Sequence, residues 1–210
     1  MADRGLFFTF EGTDGAGKTT QIQRLSADLS KASYDVCLTR EPGGTRISEQ
    51  IRDMLLNPDN SEMVDTTELL LYAASRAQHV SEVIKPALEA GKIVISSRFA
   101  DATVVYQGYG RGLNLGRINH LNQIATDGVR PDVTFVLDLP VEIGLQRVQS
   151  SRGGLDRLER EKIEFHQRLR EGYQTLAKQE PHRLKIIDAL LGPDQVYTQI
   201  QAIVQPLLQK

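Results

Sequence analysis

The chain has 210 residues and a mass of 23.4 kDa, the size of one generous domain or two small ones. It is 40% hydrophobic and 25% charged, which is ordinary for a folded soluble protein with one sizeable core. Its 25 basic and 27 acidic residues give a formal net charge of −2, whereas a dedicated nucleic-acid-binding protein usually carries a strongly basic surface, so we expect no nucleic acid partner.

Strand-like and helix-like segments alternate along the chain. Short β-branched and aromatic runs predict strands at 6–10, 34–39, 92–97, 132–139 and, more weakly, 184–188. Apolar residues three or four apart predict helices from 18 to about 29, around 47–55, from 65 to about 90, and around 114–127, 141–149, 157–179 and 194–209. Strands separated by helices pair in parallel through right-handed crossovers, so we expect an α/β fold, a doubly wound parallel five-stranded sheet flanked by helices.

We expect a single domain over residues 1–210, because the longest loop-like stretches, near 57–65 and 150–156, are too short to be domain linkers. Cys37 is the one cysteine, which excludes an internal disulfide and a multi-cysteine metal site. No apolar run approaches the roughly 18 residues that span a bilayer, and the first residues lack the long apolar stretch of a signal peptide. These features predict a cytoplasmic protein without a membrane partner.

A glycine-rich loop lies between the first predicted strand and the first predicted helix. Its sequence, GTDGAGKT at 12–19, fits the phosphate-binding pattern GxxxxGK[ST]. Glycines let successive N–H groups turn toward phosphate oxygens, Lys18 can reach the β- and γ-phosphates, and the Thr19 hydroxyl can ligate Mg²⁺. The loop therefore predicts a nucleoside triphosphate site made of Gly12, Thr13, Asp14, Gly15, Ala16, Gly17, Lys18, Thr19 and Thr20.

The loop does not by itself choose the reaction. A GTPase should also carry an Asn-Lys-x-Asp motif, which this sequence lacks, and motor or transporter ATPases are normally longer. A small-molecule kinase is the large class that remains. Asp138, at the end of the fourth predicted strand, stands where an acid supporting Mg²⁺ would stand, and equally where it would cap the helix beginning near Pro140.

Motifs in a fixed order resemble the thymidylate kinase family, whose members phosphorylate dTMP to dTDP. They are FEGTDGAGKTT at 10–20, REPGGT at 40–45, LLYAASRAQ at 70–78, Arg98 with YQG at 106–108, and LDR at 155–157 followed by Glu159. The resemblance covers about residues 5–180. It implies a P-loop nucleoside monophosphate kinase-like fold that uses ATP and Mg²⁺ and serves dTTP biosynthesis.

The resemblance also implies roles for single side chains at the dTMP site. Asp14 would bind the 3′-hydroxyl of the deoxyribose, Tyr72 would stack on thymine, and Arg76, one helical turn later, would reach a base carbonyl. Simpler explanations are that Asp14 only forms the turn and that Tyr72 belongs to the core.

Further matches complete that site. Arg98 matches the arginine that binds the dTMP phosphate, and Arg52 would assist from the second helix. Thr103 matches a polar residue that reads the base edge, Tyr106 matches a residue beside the sugar, and Gln107 would lie nearby.

The sequence departs from the family immediately before Arg98. An acid associated with the Mg²⁺ environment is usual at this position, and here it is replaced by Ser97. Asp101, Glu41 or Asp138 are the acids that could compensate for it.

Arginines and small residues alternate over 147–157, which suits either a mobile lid that closes over phosphates or a charged, solvated loop. Some family members place an arginine in the P-loop where this chain has Gly15. The resemblance then implies the bacterial type, in which the lid supplies that charge, from Arg152 first and Arg147 next. Because family members are usually homodimers, built from helices that would include the one at 66–90, we also expect a homodimer.

The basic residues divide into 17 arginines and 8 lysines. A planar guanidinium matches phosphate oxygens, but codon bias produces the same excess, so composition alone does not decide between them. The motifs give the excess an interpretation, because six arginines fall on segments expected to hold phosphate or base: Arg52, Arg76, Arg98, Arg147, Arg152 and Arg157.

Overall fold

The computed structural model describes residues 4–151 and 156–209. Its strands are β1 (Phe7–Glu11), β2 (Val36–Arg40), β3 (Ile93–Ser97), β4 (Val133–Asp138) and β5 (Leu184–Asp188). They pair in parallel in the order β2-β3-β1-β4-β5. The predicted five-stranded parallel sheet is confirmed, with the ends of the first four strands displaced by one or two residues.

Helices connect the strands on both faces of this sheet. They are α1 (Lys18–Lys31), α2 (Arg46–Leu56), α3 (Asp65–His79), α4 (Lys85–Glu89), α5 (Ala100–Thr103), α6 (Leu115–Thr126), α7 (Val141–Ser151), α8 (Ile163–Gln179) and α9 (Pro193–Leu208). Two π-helical segments, Val80–Ile84 and Val104–Gly110, join α3 to α4 and extend α5. Within the described ranges, no helix is long and apolar enough to cross a membrane.

The structure corrects three helix predictions. The predicted helix from 65 to about 90 is divided, because the π-helical segment Val80–Ile84 follows α3 and precedes α4. The helix predicted over 157–179 begins only at Ile163, because Asp156 Oδ1 accepts the N–H groups of Leu158 and Glu159 and forms a turn there. The helical stretch over 100–110 was not predicted, since its valines and glycines have low helix propensity and its contacts with α8 come from the tertiary fold.

The central strand β1 is covered on both faces of the sheet, so all five of its residues are buried, including the polar Thr9 and Glu11. On one face Phe8 and Phe10 pack on Phe135 of β4, with ring centroids 6.1 and 5.0 Å apart, beneath α1 and α9. On the other face Phe7 meets the edge of the Phe99 ring at 5.0 Å, beneath the π-helical segment that follows α3.

The direction of the crossovers reverses between β1 and β3, which are neighbours in the sheet. From β1 the chain continues to β2 on the far side of β3, and from β3 it continues to β4 on the far side of β1. Ligands of open α/β sheets bind at the carboxyl ends of strands where this reversal occurs. The P-loop follows β1 and Arg98 follows β3, so the fold brings both to that edge.

Candidate active site

A cavity of about 470 Å³ opens at the carboxyl ends of β1 and β3. Its walls come from the P-loop, the ends of β2 and β3, α3, the π-helical segment after α5, and α7. Among the residues predicted from sequence, those that line it are Asp14, Gly15, Gly17, Lys18, Thr19, Arg52, Tyr72, Arg76, Arg98, Thr103, Tyr106, Gln107 and Arg147.

Some residues predicted from the sequence do not line the cavity. Gly12, Thr13, Ala16 and Thr20 belong to the loop and to the start of α1 but do not line the cavity. Arg152 lies outside the described residues, so its predicted role stays a prediction.

The P-loop packs backbone to backbone against α7. Gly15 has a positive φ of 75°, and a Cβ there would lie 2.1 Å from the carbonyl oxygen of Gly144. A residue with a side chain therefore does not fit at this position of the loop. The contact also places Arg147 on the loop, where its Nη1 donates to the Gly15 carbonyl oxygen at 3.3 Å. Sequence reasoning missed Gly144, whose one signal was a glycine inside a predicted helix.

Lys18 lies folded against the same loop. Its Nζ donates to the carbonyl oxygens of Gly12 at 3.0 Å and Thr13 at 2.9 Å, and lies 4.0 Å from Asp14 Oδ1. Thr19 follows in the first turn of α1 and is exposed. The ammonium group and this hydroxyl thus lie at a helix N-terminus, whose dipole favours anions.

Arg98, Asp14 and Tyr106 form a cluster next to Lys18. Arg98 Nη2 donates to Asp14 Oδ1 at 2.8 Å, Tyr106 Oη donates to Asp14 Oδ2 at 3.4 Å, and the guanidinium carbon lies 4.7 Å from the centre of the Tyr106 ring. Burial acts to raise the pKa of Asp14, but Arg98 and then Lys18 outweigh it, and this pKa lies below its usual value. Asp14 is therefore an ionised acceptor beside a fixed cation.

The backbone at Arg98 is left-handed, with φ at 71°, which is unusual for a residue with a side chain. The next peptide N–H, that of Phe99, donates to Glu11 Oε1 at 2.8 Å. The other oxygen of Glu11 accepts from Tyr173 Oη at 2.7 Å. Glu11 is fully buried, and this burial, only partly offset by Arg98, raises its pKa to about 7.

Arg76 is held at the floor of the cavity, where it is 1% exposed. Its Nε donates to Glu41 Oε2 at 2.8 Å, and its Nη1 donates to Thr103 Oγ1 at 3.0 Å and Asn122 Oδ1 at 2.8 Å. Its Nη2 donates to the Phe99 carbonyl oxygen at 3.0 Å. These bonds use four of the five N–H groups of the guanidinium and fix its plane.

Tyr72 and Gln107 complete the wall beside this floor. Tyr72 is half-buried and lines the cavity, so it is not simply a core residue. Burial raises the pKa of its hydroxyl, and Glu68 adds to the rise. Gln107 Nε2 donates to Glu68 Oε1 at 2.9 Å, and its own Oε1 is buried with no hydrogen-bond partner in the described part of the chain.

One of the arginines expected to hold phosphate or base is used elsewhere. Arg157 pairs with the buried carboxylate of Glu68 and donates from Nε to the Leu55 carbonyl oxygen at 2.9 Å. It does not line the cavity. The structure thus corrects the sequence interpretation, because Arg157 binds Glu68 and the Leu55 carbonyl oxygen rather than facing the cavity.

The candidate acids for the place of Ser97 are also engaged. Asp138 accepts from Arg170 Nε and Nη2 at 2.7 and 2.8 Å, and Asp101 accepts from Arg183 at 2.6 and 2.8 Å. Neither acid lines the cavity. The two alternatives for Asp138, a magnesium-supporting acid and a helix cap, thus give way to an ion pair. Of the three candidates only Glu41 reaches the cavity, which Ser97 also lines.

Comparisons with known proteins agree on one family. A family model described as thymidylate kinase matches residues 10–200. The chain is 50% identical over 206 residues to a thymidylate kinase of Exiguobacterium sibiricum, covering 98% of this chain and 97% of that one. It is 52% identical over 194 residues to a thymidylate kinase of Desulfosudis oleivorans, covering 90% of each. A crystal structure of the thymidylate kinase from Ehrlichia chaffeensis superposes with a TM-score of 0.79 at 36% identity, covering 96% of this chain and 99% of that one.

The raised pKa of Glu11 predicts a dependence of stability on pH. Since the folded state keeps the proton up to about pH 7 and the unfolded chain releases it near 4.5, wild-type stability should fall as pH rises through this interval. The side chain of Glu11→Gln cannot ionise. The free energy of unfolding of this variant minus that of wild type should therefore increase as pH rises, by at most about 1.4 kcal/mol per pH unit. Urea unfolding of both proteins between pH 4.5 and 8 measures the difference, and a constant difference contradicts the account.

Proposed function

Because the chain belongs to the thymidylate kinase family, it phosphorylates dTMP to dTDP with ATP as the donor, and we propose that it does so with the residues lining this cavity. One observation carries the assignment. Lys18 of the P-loop and the cluster of Arg98, Asp14 and Tyr106 line a single cavity, with Lys18 Nζ 4.0 Å from Asp14 Oδ1. A donor phosphate cradled by the loop thus meets an acceptor phosphate held at Arg98.

On the donor side, the loop from Gly12 to Thr20 surrounds the phosphates of ATP. The backbone N–H groups at the start of α1 point toward the phosphate oxygens, and Lys18 adds a positive charge next to them. Arg147, held on the Gly15 carbonyl by one hydrogen bond, lies close enough to turn toward the same phosphates.

Mg²⁺ is the cofactor that this donor set fits. Magnesium is usually held by one or two protein oxygens, by water and by substrate phosphates rather than by a full protein cage. Across residues 4–151 and 156–209, no group of three or more histidines, cysteines or acids could hold a metal ion. The exposed Thr19 hydroxyl would be the protein ligand, and a bound Mg²⁺ neutralises charge on the β- and γ-phosphates.

On the acceptor side, different side chains bind different parts of dTMP. Arg98 holds the phosphate, with Arg52 supporting it; Arg52 also donates from Nη1 to the Pro42 carbonyl oxygen at 2.9 Å. Asp14, which is ionised, accepts from the 3′-hydroxyl, and Tyr106 lies beside the sugar.

The nucleobase meets the fixed residues of the floor. Tyr72 stacks on the ring, and Arg76 has one N–H left over for a base carbonyl. Thr103 reads the base edge with its hydroxyl, which accepts one hydrogen bond from Arg76 and can still donate its own proton. Gln107 offers a carbonyl oxygen that has no partner in the described protein.

The reaction asks for alignment and relief of charge more than for proton transfer. A phosphate monoester with a second pKa of about 6 is mostly dianionic at pH 7, so the acceptor needs no general base. What opposes the reaction is repulsion between two polyanions. Lys18, Arg98 and the arginines of the lid are the groups of this chain that reduce it.

We further propose that residues 147–157 form the lid of a single domain and that Arg152 supplies charge over the transferred group. The clash that a side chain at Gly15 would make with Gly144 supports this, because the loop of this chain has no room for an arginine of its own there. The cytoplasmic location, and the absence of nucleic acid and membrane partners, stay predictions from the sequence.

A homodimer is also part of the proposal. Helix α3 packs against both α2 and α6, and each of the three carries large apolar side chains that are exposed: Met54 is 45% exposed, Leu70 50% and Ile124 63%. Apolar side chains on adjoining helices favour burial against a second copy of the same surface.

Lys18→Ala should lower kcat at least about 100-fold, since removing one fixed positive donor from a transition state costs this much in comparable sites. Lys31→Ala, at the other end of α1 and exposed, is the matched control and should keep wild-type turnover. Circular dichroism should show both variants folded. A Lys18→Ala enzyme with wild-type turnover would end the assignment of the P-loop.

Arg152→Ala should lower kcat much more than it raises KM for dTMP, because an arginine facing the transferred phosphoryl group is worth roughly 10³–10⁵ in rate. Arg147→Ala should act in the same direction with a smaller effect. Steady-state kinetics with Arg117→Ala, an exposed arginine of α6, provides the control. Unchanged turnover in Arg152→Ala would remove this residue from the mechanism.

Light scattering should give wild type a mass near twice 23.4 kDa. Leu70→Glu should shift the measured mass toward that of one chain, because the dimer would then have to bury a carboxylate where it buries an apolar side chain in wild type. Ile186→Glu on β5, which replaces a side chain that is 44% exposed, should leave the mass unchanged. A wild-type mass of one chain would contradict the dimer.

A further inference from the structure

We propose that Glu11 is a positioning residue for the acceptor phosphate, acting through the backbone and the side chain of Arg98. The inference rests on the proposed role of Arg98 and goes beyond it, because Glu11 is 0% exposed and does not line the cavity. Whatever Glu11 contributes to substrate binding must therefore pass through another residue.

The left-handed backbone at Arg98 must be held in place by its surroundings. An L-residue at φ 71° brings its Cβ close to its own backbone, so this conformation is held only when the surroundings determine it. A glycine would relieve the strain but would remove the guanidinium. The chain therefore keeps a strained arginine at the carboxyl end of β3, where its side chain enters the cavity.

The last two residues of β1 hold this turn from both sides. The N–H of Arg98 donates to the Phe10 carbonyl oxygen at 2.9 Å, and the following N–H, of Phe99, donates to Glu11 Oε1 at 2.8 Å. The Arg98 carbonyl oxygen accepts from Ser96 Oγ at 2.7 Å. Of these contacts, only the one from Glu11 reaches the turn from a side chain of another strand.

Glu11 also supports the guanidinium itself, through Tyr173 on α8. The Tyr173 hydroxyl donates to Glu11 Oε2 at 2.7 Å and accepts from Arg98 Nη1 at 3.3 Å. On its other side the guanidinium donates to Asp14. Arg98 is thus oriented by two carboxyl groups, one inside the cavity and one behind it.

Glu11 holds the turn at Arg98 through its hydrogen bond to the Phe99 N–H more than through its charge. Burial raises the pKa of Glu11 to about 7, so near neutral pH both the protonated and the ionised forms are present. A carbonyl-type oxygen that can accept the Phe99 N–H exists in both forms. An amide at this position offers the same acceptor, and its NH₂ group can donate to the Tyr173 oxygen.

The test compares dTMP, which has the phosphate, with thymidine, which lacks it. Calorimetric titration of Glu11→Ala should show the dTMP affinity falling roughly tenfold or more, as expected for a lost hydrogen-bond support to a charged group, with thymidine binding changed less than about threefold. Glu11→Asp keeps the charge but withdraws the oxygens by one methylene, so it should behave like Glu11→Ala. Glu11→Gln should restore most of the preference for dTMP.

A double-mutant cycle shows whether the effect passes through Arg98. Arg98→Ala alone should lose the preference for dTMP, and adding Glu11→Ala should cause no further loss, since residues acting as one unit are not additive. Thr9→Val on β1 is the matched control, because it removes a buried hydrogen bond to Thr134 Oγ1 of 2.7 Å without touching the turn. It should leave the affinities for both ligands unchanged.

Each result bears on a distinct part of the proposal. If Arg98→Ala keeps the preference for dTMP, the proposed phosphate site is wrong. If Arg98→Ala loses it but Glu11→Ala or Glu11→Asp keeps it, the site stands and the positioning role of Glu11 is overturned. Equal losses of dTMP and thymidine in the Glu11 variants also overturn it, and so does a Glu11→Gln enzyme as weak as Glu11→Ala. If Glu11→Ala does not fold, Glu11→Asp and Glu11→Gln decide.

Discussion

Repulsion between the two phosphate-bearing substrates is the constraint that the reaction must overcome, and in the proposed site cations held at fixed positions reduce it. Lys18 is fixed by the carbonyl oxygens of Gly12 and Thr13, and Arg98 is fixed by Asp14. Each cation therefore has a place before any substrate arrives, which lowers the cost of organising the site during the reaction. A nearly neutral chain, with a net charge of −2, can carry such a cavity because its charges are local.

Some charged side chains of the site line the cavity, and others hold the surrounding segments in place through ion pairs. Arg76 is buried and paired with Glu41, and its remaining bonds leave a single N–H for a base. Arg157 was expected to hold phosphate or base, and Asp138 was expected either to support Mg²⁺ or to cap a helix. Both serve instead in ion pairs outside the cavity. The arginine excess thus has two uses here, since some guanidinium groups face the cavity and others anchor the segments around it.

The sequence was sufficient for the parts of the molecule that depend on local pattern. Periodicity predicted the strands and glycine spacing predicted the P-loop, whereas Arg98 was assigned to the site through the resemblance to thymidylate kinases. The strand order, which brings the P-loop and Arg98 to one edge where the crossovers reverse, is known from the structure. Pairings between distant residues were not predictable, because no local pattern records them. The ion pair of Asp138 with Arg170 spans 32 residues, and the contact of Gly15 with Gly144 depends on how α7 meets the loop.

The left-handed turn at Arg98 shows a second limit. In a sequence, a positive φ is normally indicated by glycine or asparagine, and this position is an arginine. The turn is instead held by Glu11 of the neighbouring strand, which no local pattern shows. The π-helical segment Val104–Gly110 was missed for a related reason, because its valines and glycines favour other structures and packing on α8 decides the outcome.

The account is tested most directly by ADP release from ATP with different acceptors. In a coupled assay with dTMP, dUMP, dCMP and thymidine, it predicts the highest kcat/KM for dTMP. Because thymine and uracil differ by one methyl group, dUMP should be poorer by roughly 10–200-fold. Thymidine should give no ADP, since it brings no phosphate to Arg98. ADP formed with thymidine but not with dTMP would contradict the account.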